Sequence, residues 1–147
     1  MPTPDSNHIL WTLWHMGRME DQWSWYLRGG GANAWIEGGW AERLGIDPER
    51  NGTGDSIKQV RDFPEVSVKE LTGYWQAARE MLIPSVEKLT IDMLEIKRTK
   101  IWTHAPDSAP TLLWVLGRIP VENSQHTGQI AYIRGLYKAK FGTEHSN

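Results

Sequence analysis

Val115 to Ile133 reads VLGRIPVENSQHTGQIAYI, and the period of this stretch decides the fold. Val115, Ile119, Glu122, His126, Gln129 and Ile133 follow one another at intervals of four, three, four, three and four residues. That is the spacing of a single helix face. The face is aliphatic at both ends, so Glu122 and His126, one turn apart, point where the core should lie. A carboxylate buried without a partner is costly, and something must compensate. One compensation is a divalent metal ion, because i, i+4 spacing lets two side chains reach one cation. The other is an internal hydrogen-bonded Glu–His pair that titrates as a unit.

Outward from this stretch, the last helix is expected from Thr111 to Phe141, with a kink at Pro120. Before it, Leu71, Trp75, Ala78, Leu82, Leu89, Met93 and Ile96 keep a 3.6-residue period. They predict a long helix from Val66 to Lys97, bent but not broken at Pro84. A third long helix is expected over His8–Leu27, capped by one of Asp5, Ser6 and Asn7 and ended by Gly29-Gly30-Gly31. In it Ile9, Leu13, Met16 and Glu20 share one side, with Trp11, His15 and Met19 in an adjacent row. Residues 29–64, with eight glycines, are irregular and carry one short helix around Ala34–Leu44. A loop that long usually has a role, such as a lid or pocket wall. No strand pattern, repeat or low-complexity tract interrupts this. The expectation is one all-α domain over 1–147, an up-down bundle of three long helices plus a short one.

Composition narrows the function. Apolar residues are 39% and charged residues 23% of the 147 residues, a globular balance. The net charge of −2 leaves no electrostatic footprint for nucleic acid. The one basic cluster, Lys97, Arg98 and Lys100, is expected at a helix C-terminus, where it complements the helix dipole. No apolar run approaches a membrane span and no export signal opens the chain, so a cytoplasmic location is expected. With no cysteine, any thiol in the chemistry must arrive as a small molecule. Asn51-Gly52-Thr53-Gly54 is a turn cluster without the residues of a phosphate-binding loop. The nine tryptophans are read as core or subunit-interface residues.

A metal at Glu122 and His126 needs a ligand from another helix. His15, mid-helix among Trp11, Trp14 and Trp23, is the better candidate. His8, at the helix start, suits a capping role. His104 and His145 fall in a loop and in the tail, where exposure is expected.

The first helix, with Leu10, Leu13, His15, Glu20 and Asp21, resembles the L-x-x-L-x-H-x-x-x-x-E-D helix of the DinB-like superfamily. Glu122, His126, Gly128, Gln129 and Arg134 resemble its last helix, E/H-x-x-x-H-x-G-Q/H-x-x-x-x-R. The resemblance implies a helical bundle with a divalent-metal site at one end, whose ligands here are His15, Glu122 and His126. Zinc or nickel is the first expectation, with iron or manganese also compatible. Glutamate at 122 is similar to the branch containing mycothiol-dependent maleylpyruvate isomerases; other relatives are thiol transferases or metal-dependent hydrolases. The family places a whole helix before the His-bearing one, and here seven residues precede it. The apolar strip this uncovers leads to the expectation of a homodimer.

Three protein ligands leave an open coordination position, as catalytic zinc sites do. The expected function is therefore a metal-dependent enzyme acting on a small-molecule substrate, as a thiol-dependent transferase or isomerase or as a hydrolase. A thiol cosubstrate would be held as thiolate, or a water activated. The alternative is a non-catalytic, metal- or ligand-binding dimeric bundle. Gln129, Arg134 and Glu20 are candidates for outer-shell or substrate contacts. Arg134 has the simpler option of pairing with Glu20 or Asp21.

Overall fold

The computed structural model describes residues 6–102 and 105–142. His104 and His145 lie outside them, as does Asp5. Six α-helices are found among the described residues: α1 (Ile9–Arg28), α2 (Ala34–Glu37), α3 (Trp40–Leu44), α4 (Ile57–Arg61), α5 (Val68–Glu87) and α6 (Leu112–Phe141). The all-α expectation holds, and the irregular segment carries three short helices rather than one. No helix among them is long and apolar enough to cross a membrane.

α1 is the centre of the molecule. Trp11, Thr12, Trp14, His15, Met16, Gly17 and Arg18 are all buried, so the helix is covered on every side and a single apolar stripe does not describe it. His8, rather than Ser6 or Asn7, is its N-cap: Nδ1 accepts from the Trp11 N–H, and the other ring nitrogen meets the Val60 carbonyl at 3.0 Å. Gly29 ends the helix in the left-handed region (φ 82°), where a side chain would be strained.

α5 begins in a capping box of Ser67 and Glu70. It runs in the same direction as α1, since Gly17 meets Tyr74, Glu20 meets Arg79 and Ser24 meets Ser85 in that order. The buried positions on α5 are Leu71, Tyr74, Ala78, Leu82 and Ser85, so Tyr74 takes the core place expected of Trp75. The helix continues through Pro84 but ends at Glu87, ten residues short of expectation. Pro84 has no N–H to give the preceding turn, and Thr90 then turns extended to start a 3₁₀ turn at Ile91–Met93. Leu89 and Met93 still reach the core, whereas Ile96 is exposed.

This early stop changes the role of the basic cluster. The carbonyls of Leu94 and Ile96 accept from the first N–H groups of α6, Leu113 and Leu112, at 2.9 and 3.0 Å. The Arg98 guanidinium donates to the Leu27 carbonyl at 2.8 Å, at the C-terminus of α1. Residues 94–98 thus fasten the ends of two helices instead of finishing a third.

α6 is capped by Thr111 and packs antiparallel to α1, with Trp114 beside Trp23 and Glu122 beside His15. Two clusters make the core. Trp11, Trp14, Trp35, Trp40, Leu71 and Tyr74 fill one end. Trp23, Tyr26, Leu27, Leu82, Leu112 and Val115 fill the other.

Candidate metal centre

The antiparallel pairing of α1 and α6 brings His15, Glu122 and His126 together. One ligand atom from each lies within 4.8 Å of the others. Glu122 Oε1 is 2.9 Å from His126 Nε2 and 3.5 Å from His15 Nε2. The two imidazole rings stand at 90°, with centroids 5.0 Å apart. All three side chains are nearly enclosed, at 8%, 7% and 12% exposure for His15, Glu122 and His126.

The hydrogen bonds behind the histidines fix what they offer. His15 Nδ1–H donates to the Asn51 carbonyl at 2.6 Å; a carbonyl only accepts, so the proton sits on Nδ1. Nε2 is left as a lone pair facing Glu122. Burial lowers the pKa of His15 below the ordinary histidine value and His126 adds to this, against the raising effects of the Asn51 bond and Glu122. Neutral His15 therefore presents an acceptor to another acceptor. His126 Nδ1 lies 2.9 Å from Gln129 Oε1 and its Nε2 lies 2.9 Å from Glu122 Oε1, so its one ring N–H can serve either acceptor. With the His126 proton on Nδ1 toward Gln129, three lone-pair atoms, His15 Nε2, Glu122 Oε1 and His126 Nε2, converge on one point. A divalent cation between them would satisfy all three. Two imidazole nitrogens and one carboxylate, backed by acceptors on both Nδ1 atoms, form a donor set that fits such an ion.

His15 is held by the segment expected to be a lid or wall. Gly52 adopts φ 90°, and a Cβ there would lie 2.7 Å from His15 Nδ1 and 3.1 Å from both Trp11 and Trp14. Only glycine lets the loop come close enough for Asn51 to reach the ring. The loop is tied to α1 by Arg18, which donates to the Arg50 and Pro48 carbonyls, and by the Trp11–Asp55 bond of 2.8 Å. His15 also stacks on Trp11, with centroids 5.1 Å apart.

Two other expectations change. Arg134 is exposed on α6, and among the described residues it pairs with neither Glu20 nor Asp21. Asp21 accepts from the backbone N–H groups of Ala34 and Trp35, and Tyr74 donates to it. Glu20 is held by Arg79 and by Asn123, so it approaches the centre only through the residue next to Glu122. Arg118, absent from the expected set, pairs with Glu122 Oε2. Its place one turn before Glu122 was a readable signal.

No match is found among curated proteins. A conserved protein from Enterococcus faecalis, known from its crystal structure, is similar to this chain with a TM-score of 0.74 and 22% identity, over 92% of this chain and 78% of its own. At that identity the likeness speaks for the fold. The sequence model of the DinB superfamily matches residues 1–130, covering α1 with His15 and the part of α6 that carries Glu122 and His126. The chain belongs to the DinB superfamily.

Proposed function

We propose that this protein is a metal-dependent enzyme with a small-molecule substrate, its ligands being His15, Glu122 and His126. The observation that carries the reading is the convergence of three ligand atoms within 4.8 Å of one another, with the His15 proton fixed on Nδ1 by Asn51. Zinc or nickel fits two imidazoles and a carboxylate, as do iron and manganese. A divalent ion there supplies Lewis acidity, enough to lower a bound water to a pKa of about 7 or to keep a small thiol as thiolate. With no cysteine in the chain, the thiol of a transferase or isomerase reaction is a cosubstrate. Asn51 and Gln129 orient the two imidazoles, and Trp11 packs on His15 and keeps water from that side.

The competing reading, a structural metal in a non-catalytic bundle, draws support from the near-complete enclosure of the donors. The two separate on His126→Ala. For an enzyme, the variant loses the metal and turnover while the melting temperature of the metal-free protein stays within a few degrees. For a structural ion, removal of metal from the wild type collapses the fold.

A homodimer is part of the proposal. Leu82, Ile83 and Val86 of α5 and Ile119 and Pro120 of α6 line an open groove of about 340 Å³, and Ile83 is 51% exposed. A second copy of the chain would cover this apolar face. Light scattering should give twice the chain mass, and a stable monomer at micromolar concentration would refute the dimer.

A further inference from the structure

We infer that Arg118 is a positioning residue that keeps Glu122 a one-oxygen ligand, so that the metal centre retains an open coordination position. The inference rests on the metal reading above. Glu122 divides its carboxylate between two sides. Oε1 faces both histidines, while Oε2 accepts from Arg118 Nη2. Arg118 stands one turn before Glu122 on α6, so this pairing is built into the helix and needs no third element. Glu122 is enclosed, whereas Arg118 is one-third exposed, which places the guanidinium at the rim of the site. Its Nη1 reaches Gln125 Oε1 at 3.5 Å.

A carboxylate without such a partner can bind a cation through both oxygens and fill two positions. A guanidinium on Oε2 is a charge-assisted hydrogen bond that competes for that second oxygen. Asn51 and Gln129 do the equivalent for the imidazoles, leaving each histidine one nitrogen to give. Three side chains then supply three donors, and a fourth position stays open to an exogenous ligand.

The test uses the Co²⁺-loaded protein with Arg118→Met, Arg118→Gln and Arg118→Lys, read by visible absorption and by azide titration. The expected result is that Met and Gln variants lose band intensity as the coordination number rises. They should bind azide at least about ten-fold more weakly, the scale on which outer partners tune metal sites. Arg118→Lys should restore much of the wild-type spectrum. A purely structural role would shift only the melting temperature of the metal-free protein. Spectra and azide affinities within roughly two-fold of wild type in folded, loaded variants would overturn the inference and leave the metal reading intact. Failure of the wild type itself to take up Co²⁺ would overturn both.

Discussion

His15 is held from two directions, by Trp11 stacked on its face and by the Asn51 carbonyl on Nδ1, and its Nε2 faces Glu122. Gly52 makes the second of these possible, so Gly52→Ala should act through both stability and the site. The left-handed backbone and the contacts with His15, Trp11 and Trp14 predict a loss of about 1–3 kcal/mol in chemical denaturation. Metal affinity should fall about ten-fold or more as Asn51 is displaced. Asp55 gives a pH test of the same loop. Burial pushes its carboxyl up, but the bonds from Arg50 and Trp11 and the Arg50 charge outweigh this, and its pKa lies below the ordinary value. A folded-state pKa below the unfolded one adds stability above about pH 4, and that stability disappears as pH falls through the folded value. Melting curves should therefore show Asp55→Asn less stable than wild type at pH 7, with the gap closing in acid. Glu122 and His126 were legible in the sequence because they share a helix, and one-turn spacing is a local property. Asn51 was not, because it acts through its backbone carbonyl and leaves no side-chain pattern.

At the scale of elements, Glu20 joins three helices. It is buried on α1, bonded by Arg79 of α5 at 2.7 and 2.5 Å, and bonded by Asn123 of α6 at 2.5 Å. Arg79 is 41% exposed and Glu20 is 2%, so the two ends of the pair are unequal. Arg79→Met strands a buried carboxylate and should cost about 3 kcal/mol. Glu20→Gln leaves a guanidinium that can turn to water, and it should cost less; urea titrations of both variants check the order. Helix ends were the least legible feature. The apolar period of α5 continues past Glu87 because Leu89 and Met93 face the core, yet a non-helical link presents Leu89 and a 3₁₀ turn presents Met93. Periodicity reports which side chains face inward. It does not report how the backbone between them is bonded, and Pro84 had already weakened the last turn. Arg98 is a parallel case, since its charge was readable but its partner, the Leu27 carbonyl, lies 71 residues away.

At the scale of the molecule, the irregular segment from Gly29 to Ser67 returns the chain so that α5 runs alongside α1, and α6 then comes back antiparallel to put Glu122 and His126 beside His15. The candidate metal centre is thus a product of topology: its two halves are some hundred residues apart in the chain and meet only in the folded bundle. Metal binding should stabilise the fold by linkage, with a melting temperature that climbs as free Zn²⁺ or Ni²⁺ rises above the dissociation constant. The most direct test of the central claim is the metal content of the purified protein after equilibration with a divalent ion and removal of excess, measured by elemental analysis beside His15→Ala and His126→Ala. The account predicts close to one ion per wild-type chain and almost none in either folded variant. A wild-type protein that retains no metal, or variants that retain as much as the wild type, would contradict it.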